Sequence, residues 1–176
     1  MKENKNAITF KGKPLTLLGK IPAVGDNAPN FKVIDNNLQP VEFSSFRGKL
    51  CIITSVPSLD TSVCDTMTRK FNERAVGLGS DVTVLTISMD LPFAQKRWCG
   101  AAGIKNVQTL SDYREASFGM AYGVLIKELK LLARAVFVVD KDGVIRYEQI
   151  VGEMTNEPDY EQAINAVKQL LQPAVA

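Results

Sequence analysis

One stretch decides the fold, and it reads Leu50-Cys-Ile-Ile-Thr-Ser-Val56 followed directly by Pro57-Ser-Leu-Asp-Thr-Ser-Val-Cys64. Its first part is a short apolar, β-branched run, which predicts a buried strand. Its second part leads into the first turn of a helix, and Cys64 lies in that turn. The unpaired N–H groups and the positive dipole end of a helix N-terminus favour a thiolate, so Cys64 is a candidate nucleophile.

Two interpretations of Cys64 stay open on this pattern alone. Free cysteine is among the most buried residue types, so Cys64 also fits an ordinary half-buried position in a strand-to-helix corner. Thr61, three residues earlier, carries a hydroxyl that both donates and accepts hydrogen bonds. The spacing alone does not choose between these two interpretations.

Composition limits the function classes. The 176 residues carry 21 basic and 19 acidic side chains, a net charge of +2, with no block of like charges. We therefore expect neither a nucleic-acid nor a membrane partner, and one domain over residues 1–176. Met1–Asn6 does not resemble a secretory signal, and three cysteines do not suggest a disulfide-stapled secreted domain, so a cytoplasmic location is expected.

The sequence contains no histidine. This excludes Ser-His-Asp and Cys-His hydrolases as well as histidine-ligated metal sites. The spacing of Cys51, Cys64 and Cys99 matches no C-x-x-C zinc knuckle or thioredoxin-type dithiol. A nucleophilic cysteine in this chain must be activated by the backbone, by arginine or lysine, or by hydroxyl groups.

Strand and helix patterns alternate along the rest of the chain. We predict an N-terminal β-hairpin within residues 1–20, then strands near 31–34, 50–56, 81–88 and 107–110, helices near 64–76, 92–103, 114–122 and 159–171, and a hairpin of strands 134–139 and 144–151. This order predicts an α/β, thioredoxin-like fold with a central mixed sheet flanked by helices. The strands 50–56 and 134–139 are expected to be neighbours, which would bring Arg134 beside the loop before Cys64.

The spacing Pro57-x3-Thr61-x2-Cys64 resembles the active-site signature of peroxiredoxins, and the whole string from Pro57 to Cys64 resembles their thiol peroxidase branch. The resemblance extends to three further stretches, namely Asp90-Leu-Pro-Phe-Ala-Gln-Lys-Arg-Trp-Cys99, Arg134-Ala-Val-Phe-Val-Val-Asp140 and Glu157-Pro-Asp-Tyr160. It therefore covers most of the chain.

The resemblance implies that Pro57, Thr61, Cys64 and Arg134 form the active site and that Cys99 is a resolving cysteine. Without it, Arg134 also fits a solvated strand end, and Cys99 also fits a small core residue on an amphipathic helix. Cys51 lies inside the predicted strand, far along an extended chain from Cys64, and is assigned to the core.

An atypical two-cysteine peroxiredoxin is the function that the resemblance implies. Cys64 would reduce hydrogen peroxide or an alkyl hydroperoxide, pair with Cys99 in a disulfide, and be recycled by a thioredoxin-like reductant, without a metal or organic cofactor. The resemblance also implies a homodimer. Two alternatives remain at this point: a thiol–disulfide oxidoreductase or redox sensor on the same fold, and a non-enzymatic thioredoxin-like interaction module.

Overall fold

The computed structural model describes residues 1–172, and the predicted boundary at residue 176 lies outside them. The strands are β1 Glu3–Phe10, β2 Lys13–Leu18, β3 Lys32–Ile34, β4 Pro40–Glu42, β5 Leu50–Ser55, β6 Val82–Ser88, β7 Gln108–Ser111, β8 Leu125–Ile126, β9 Ala135–Val139 and β10 Ile145–Ile150. The helices are α1 Ser62–Val76, α2 Pro92–Ala102, α3 Ser117–Ala121 and α4 Tyr160–Leu171. Within residues 1–172, no helix has both the length and the apolar character of a membrane span.

A seven-stranded sheet in the order β10-β9-β5-β6-β7-β3-β4 forms the centre of the molecule. The strands β5, β6 and β7 run parallel, whereas β9 pairs antiparallel with β5 on the other side. The predicted central mixed sheet flanked by helices is therefore confirmed, as is the predicted pairing of β5 with β9. Because Ser55 at the end of β5 pairs with Ala135, Arg134 lies beside the loop that leaves β5.

The sheet separates two apolar cores. Helices α1 and α4 pack on one face, and α3 with the N-terminal hairpin packs on the other. Side chains alternate along β5, so Ile52 faces the first core while Cys51 and Ile53 face the second. Cys51 is therefore a core residue, as predicted, and lies on the opposite side of the sheet from Cys64. Burial raises the pKa of the Cys51 thiol to about 11, which keeps it protonated at neutral pH.

The N-terminal hairpin is part of a second sheet. The strands β1 and β2 pair antiparallel, as predicted, and β2 continues to the two-residue strand β8. Ile8 and Leu17 of the hairpin are buried in the second core, the one that contains Cys51. Sequence patterns did not predict β8, because two residues are too few to display the alternation of a strand.

Helix α3 is shorter than the predicted helix 114–122. Ala116 has a positive φ of 51°, so the helix starts only after it. The side chain of Asp112 reaches this start and accepts hydrogen bonds from the N–H groups of Phe118 and Gly119, at 3.1 and 2.8 Å. A buried carboxylate thus satisfies helix-start donors that would otherwise have no partner.

Asp112 makes the stability of this fold depend on pH. Its side chain is 1% exposed, and burial raises its pKa from the ordinary 3.8 to about 6, against the opposing effect of the two N–H groups. A raised pKa means that the folded state binds this proton more tightly than the unfolded chain. The resulting stabilisation is complete below about pH 4 and is lost as the pH rises through about 6.

We expect Asp112→Asn to remove this dependence, because an amide resembles the neutral carboxyl group at every pH. Relative to the wild type, the variant should gain about 2 to 3 kcal/mol of unfolding free energy between pH 4 and pH 7, as a pKa shift of this size implies. Urea denaturation of both proteins at several pH values measures the difference. A difference that stays constant with pH would contradict the role assigned to Asp112.

Candidate active site

Thr61 begins helix α1 as its N-cap. Its hydroxyl oxygen accepts a hydrogen bond from the backbone N–H of Cys64 at 3.3 Å and donates its own proton to the carbonyl of Ser58 at 3.2 Å. Pro57 is buried at the start of the same loop, directly after β5. Thr61 therefore contacts the backbone of Cys64 and not its sulfur, which places Cys64 in the first turn of the helix as the sequence predicted.

Arg134 contacts the sulfur of Cys64. Its Nη1 lies 3.3 Å from Cys64 Sγ and 3.6 Å from Met67 Sδ, and its Nη2 donates to the carbonyl of Met154 at 2.9 Å. Both Cys64 and Arg134 are buried, at 0% and 2% exposed. The structure thus brings together Thr61, Cys64 and Arg134, three of the predicted site residues, around one thiol.

The positive charge of Arg134 pairs with no carboxylate of the residues that the structure describes. Among the ion pairs of residues 1–172, none includes Arg134, and its buried Nε has no hydrogen-bond acceptor. Glu157 lies close enough to Arg134 for the two charges to interact, but it forms its ion pair with Lys70. The hydrogen bond from Lys70 lowers the pKa of the Glu157 carboxyl group. A buried cation without a counter-charge is costly. A thiolate at Cys64 would supply that counter-charge.

Asp90 holds the loop that precedes Cys64. Its carboxylate accepts hydrogen bonds from Ser58 Oγ at 2.7 Å, from the backbone N–H of Leu59 at 2.8 Å and from Ser88 Oγ at 2.8 Å. Ser88 also accepts from Gln95 Nε2 of α2, at 2.9 Å. One carboxylate therefore joins the loop before Cys64 to the helix that carries Cys99.

Sequence reasoning missed two residues of this site. Asp90 opens one of the stretches that carry the family resemblance, and an acidic residue just after a buried strand was a usable signal. Met154 left no signal, because it acts through its backbone carbonyl and any residue type can supply that group.

Cys99 lies apart from the group around Cys64. Its Sγ is 3.3 Å from Thr109 Oγ1, and that hydroxyl donates its proton to Asn36 Oδ1 at 3.2 Å. A chain of polar contacts therefore links Cys99 to Asn36 through Thr109. Cys99 is half-buried and lines a groove of about 490 Å³, whereas Cys51 and Cys64 are fully buried.

A hydrogen bond nevertheless joins the residues that are adjacent in sequence to Cys64 and Cys99. Trp98 of α2 donates from its indole N–H to Asp65 of α1 at 2.9 Å. Arg69, which pairs with Asp65 at 2.8 Å, also stacks near the Trp98 ring, 5.8 Å from its centroid. The residue after Cys64 and the residue before Cys99 are therefore in contact, and the two helices are already adjacent where the thiols lie.

Access to Cys64 requires movement. The thiol has no exposed surface in this conformation. A groove of about 390 Å³ runs along the outside of the first turn of α1, lined by Ser62, Val63, Thr66, Thr155, Asn156 and Glu157. A small molecule in this groove reaches the sulfur only when the turn or its side chains shift.

Comparisons with known proteins agree over nearly the whole chain. A family model described as Redoxin matches residues 23–164. A thiol peroxidase from Halalkalibacterium halodurans is 58% identical over 165 residues, which is 94% of this chain and 99% of that protein. A thiol peroxidase from Bacillus subtilis is 57% identical over 164 residues, or 93% and 98% of the two chains. The crystal structure of a peroxiredoxin-like protein from Aquifex aeolicus has a TM-score of 0.88 at 44% identity and covers 94% and 98% of the chains.

Replacing Thr61 tests the cap directly. We expect Thr61→Val to lower the unfolding free energy by about 1 kcal/mol, since valine keeps the branched shape but leaves the N–H of Cys64 without its acceptor. Thr61→Ser keeps the hydroxyl and should stay close to the wild type. Thermal denaturation of the reduced proteins measures both effects, and a serine variant that is less stable than the valine variant would show that the methyl group matters instead of the hydroxyl.

Proposed function

Since the chain belongs to the Redoxin family and functions as a thiol peroxidase of the peroxiredoxin type, we propose that Cys64 is its peroxide-reducing thiol and Cys99 its resolving thiol. The substrates are hydrogen peroxide and alkyl hydroperoxides, and a thioredoxin-like dithiol protein returns the enzyme to its reduced form. One observation carries the assignment of Cys64: its sulfur lies 3.3 Å from a buried guanidinium that has no carboxylate partner among the described residues.

The first step is a displacement on the peroxide. The Cys64 thiolate attacks one oxygen, an S–O bond forms, the O–O bond breaks, and the leaving oxygen takes a proton to become water or an alcohol. Sulfur is oxidised to the sulfenic acid by two electrons, and the peroxide is reduced by the same two. Arg134 stabilises the thiolate beforehand and can donate N–H bonds to the oxygens as negative charge moves onto the leaving group.

Ionisation of the thiol explains only part of the rate. Complete conversion of an ordinary thiol to its thiolate raises the reactive fraction at pH 7 by only about thirtyfold. The remaining acceleration must come from oriented donors that polarise the O–O bond. Arg134 supplies such donors from a position fixed by its contacts to Cys64 and Met154, and preorganised donors of this kind reduce reorganisation during the reaction.

Thr61 contributes through its hydroxyl. In the resting conformation its proton is given to the carbonyl of Ser58. To assist the reaction, the hydroxyl exchanges this acceptor for a peroxide oxygen while it still accepts from the N–H of Cys64. Pro57 is proposed to contribute by closing the start of the loop, where its buried ring leaves no N–H to be satisfied.

The second step joins the two thiols. Cys99 attacks the sulfenic sulfur of Cys64, a disulfide forms, and water leaves. A disulfide needs the two Cα atoms within about 7 Å, with suitable Cβ directions. Before this step each cysteine lies on a helix, and the Cys99 sulfur is hydrogen-bonded to the hydroxyl of Thr109. We therefore propose that the first turn of α1 and the part of α2 around Cys99 unwind for this step.

Two partners complete the proposal. A dithiol reductant breaks the Cys64–Cys99 bond by two successive thiol–disulfide exchanges, so no metal or organic cofactor takes part. We also propose a homodimer. Leu91 and Phe93, at 52% and 67% exposed, form an apolar pair at the start of α2, next to the Asp90 junction, and are suited to burial between two copies.

Single-cysteine variants separate the two steps. We expect Cys64→Ser to abolish peroxide reduction, and Cys99→Ser to allow one oxidation of Cys64 per molecule while blocking turnover with thioredoxin. Cys51→Ala is the matched control and should keep nearly full turnover, because Cys51 lies on the other face of the sheet. Peroxide consumption with thioredoxin, and sulfenic acid trapping without it, measure the two steps. Oxidation that survives in Cys64→Ser would overturn the assignment of the attacking thiol.

The single tryptophan reports on the second step. Unwinding of α1 and α2 breaks the bond between Trp98 and Asp65, so the fluorescence of Trp98 should change as the disulfide forms. In Cys99→Ser the same peroxide pulse oxidises Cys64 without this slower change. Stopped-flow fluorescence measures the slow change in Trp98 emission. Amide hydrogen exchange provides a second measurement, and it should be faster in residues 60–68 and 92–103 of the oxidised protein than in the reduced protein. An identical slow fluorescence phase in Cys99→Ser would contradict the link to unwinding.

A further inference from the structure

The N-terminal hairpin is attached to the segment that follows β10. The N–H of Thr9 donates to the carbonyl of Gly152 at 2.7 Å, and the N–H of Met154 donates to the carbonyl of Thr9 at 2.9 Å. Between them, a carboxylate oxygen of Glu153 accepts from the N–H of Gly12 at 2.9 Å and from the hydroxyl of Thr9 at 3.0 Å. Glu153 thus clamps the hairpin to residues 152–154.

The same segment holds Arg134. Among the described residues, the carbonyl of Met154 is the one oxygen atom that accepts a hydrogen bond from the guanidinium, because its other contacts are the sulfurs of Cys64 and Met67. The guanidinium is planar and rigid, so fixing Nη2 on this carbonyl also fixes where Nη1 meets Cys64. A displacement of residues 152–154 therefore moves the donor that faces the thiol.

We propose that the N-terminal hairpin, clamped by Glu153, is a positioning element for Arg134 in the reduction of peroxide. The proposal rests on the role given above to Arg134 and extends it to a part of the chain outside residues 23–164, which the Redoxin model matches. The connection runs from Thr9 through the backbone of Met154 to the guanidinium, because the N–H of Met154 donates to Thr9 and its carbonyl accepts from Arg134. Glu153 makes no hydrogen bond to Cys64 or Arg134 in the described residues; its carboxylate joins the hairpin to Thr155, next to Met154, with 2.8 Å to the N–H of Thr155 and 2.7 Å to its hydroxyl.

The Glu153 carboxylate that forms the clamp stays negatively charged at neutral pH. The N–H groups of Gly12 and Thr155 hold the pKa of Glu153 at about 2, well below its usual range. The carboxylate therefore stays ionised throughout the pH range in which a thiol titrates, and the clamp does not open by protonation. Any pH dependence of Cys64 oxidation in this range therefore does not come from protonation of Glu153.

A simpler role for the hairpin is to cover the core with Ile8 and Leu17. Glu128 offers a matched control for that role. Its carboxylate also anchors the hairpin, by accepting from the N–H of Thr16 at 3.1 and 3.0 Å, and it makes no hydrogen bond to residues 152–154. Loosening the hairpin at Glu128 tests attachment in general, whereas loosening it at Glu153 tests the connection to Arg134.

The experiment measures the second-order rate of Cys64 oxidation by hydrogen peroxide in reduced Cys99→Ser protein, where only the first step occurs. We expect Glu153→Ala to slow oxidation by about tenfold, less than the roughly hundredfold loss that follows removal of an oriented donor. Glu128→Ala should keep the rate of the parent. Glu153→Gln retains one of the two acceptor oxygens and should give a rate between those of the alanine variant and the parent, so it still shows a measurable loss if the alanine variant folds poorly.

A double-mutant cycle decides whether the effect passes through Arg134. In an Arg134→Lys background, Glu153→Ala should cause no further loss, because the guanidinium that the clamp positions is gone. An undiminished rate in Glu153→Ala, or an equal additional loss in the Arg134→Lys background, would overturn the proposal. Failure of the proposed function looks different, since Arg134→Lys itself would then leave the rate unchanged.

Discussion

The contact between the buried guanidinium of Arg134 and the sulfur of Cys64 is the interaction on which the rest of the site depends. A cation inside a protein needs negative charge or several acceptors, and here one carbonyl and two sulfurs are all that residues 1–172 supply. The sulfur of Cys64 is thus one of the few groups that face this cation. Because the chain contains no histidine, the guanidinium takes the place of an imidazole as the cation beside Cys64.

The central sheet makes the three cysteines chemically different. Cys51 alternates to the face opposite Cys64 and is buried among apolar side chains, which raises its pKa to about 11. Cys99 is half-buried at a groove and bonded to a hydroxyl. Only Cys64 combines a helix start with a neighbouring cation. The surroundings of each thiol thus depend on which face of the sheet and which end of a helix or strand it occupies.

In the proposed mechanism, contacts that align the groups for the first step have to break in the second step. Thr61, Asp90 and the Trp98–Asp65 bond hold the loop and both helices in the arrangement that aligns Arg134 with Cys64. The proposed disulfide requires part of that arrangement to open. The sheet face beneath these helices carries hydrogen-bonded hydroxyls in register, Thr54 with Thr86 and Thr86 beside Thr109. Such a face buries less apolar surface than a row of valines would, so opening α2 costs less.

The sequence by itself determined the elements and most of the site residues. Apolar runs and the proline–cysteine spacing predicted β5 and the start of α1, because strand and helix periodicity and capping are local properties. The pairing of β5 with β9 was predicted instead from the order of elements, which indicated a thioredoxin-like fold. Only the tertiary structure decided that Arg134 pairs with no carboxylate of residues 1–172, and that Asp90 joins the loop to α2. The same holds for Met154, whose N–H donates to the hairpin and whose carbonyl accepts from the guanidinium. These contacts link residues far apart in the chain, and one of them uses a backbone carbonyl that every residue possesses. Their existence therefore depends on how the elements pack, which no local pattern records.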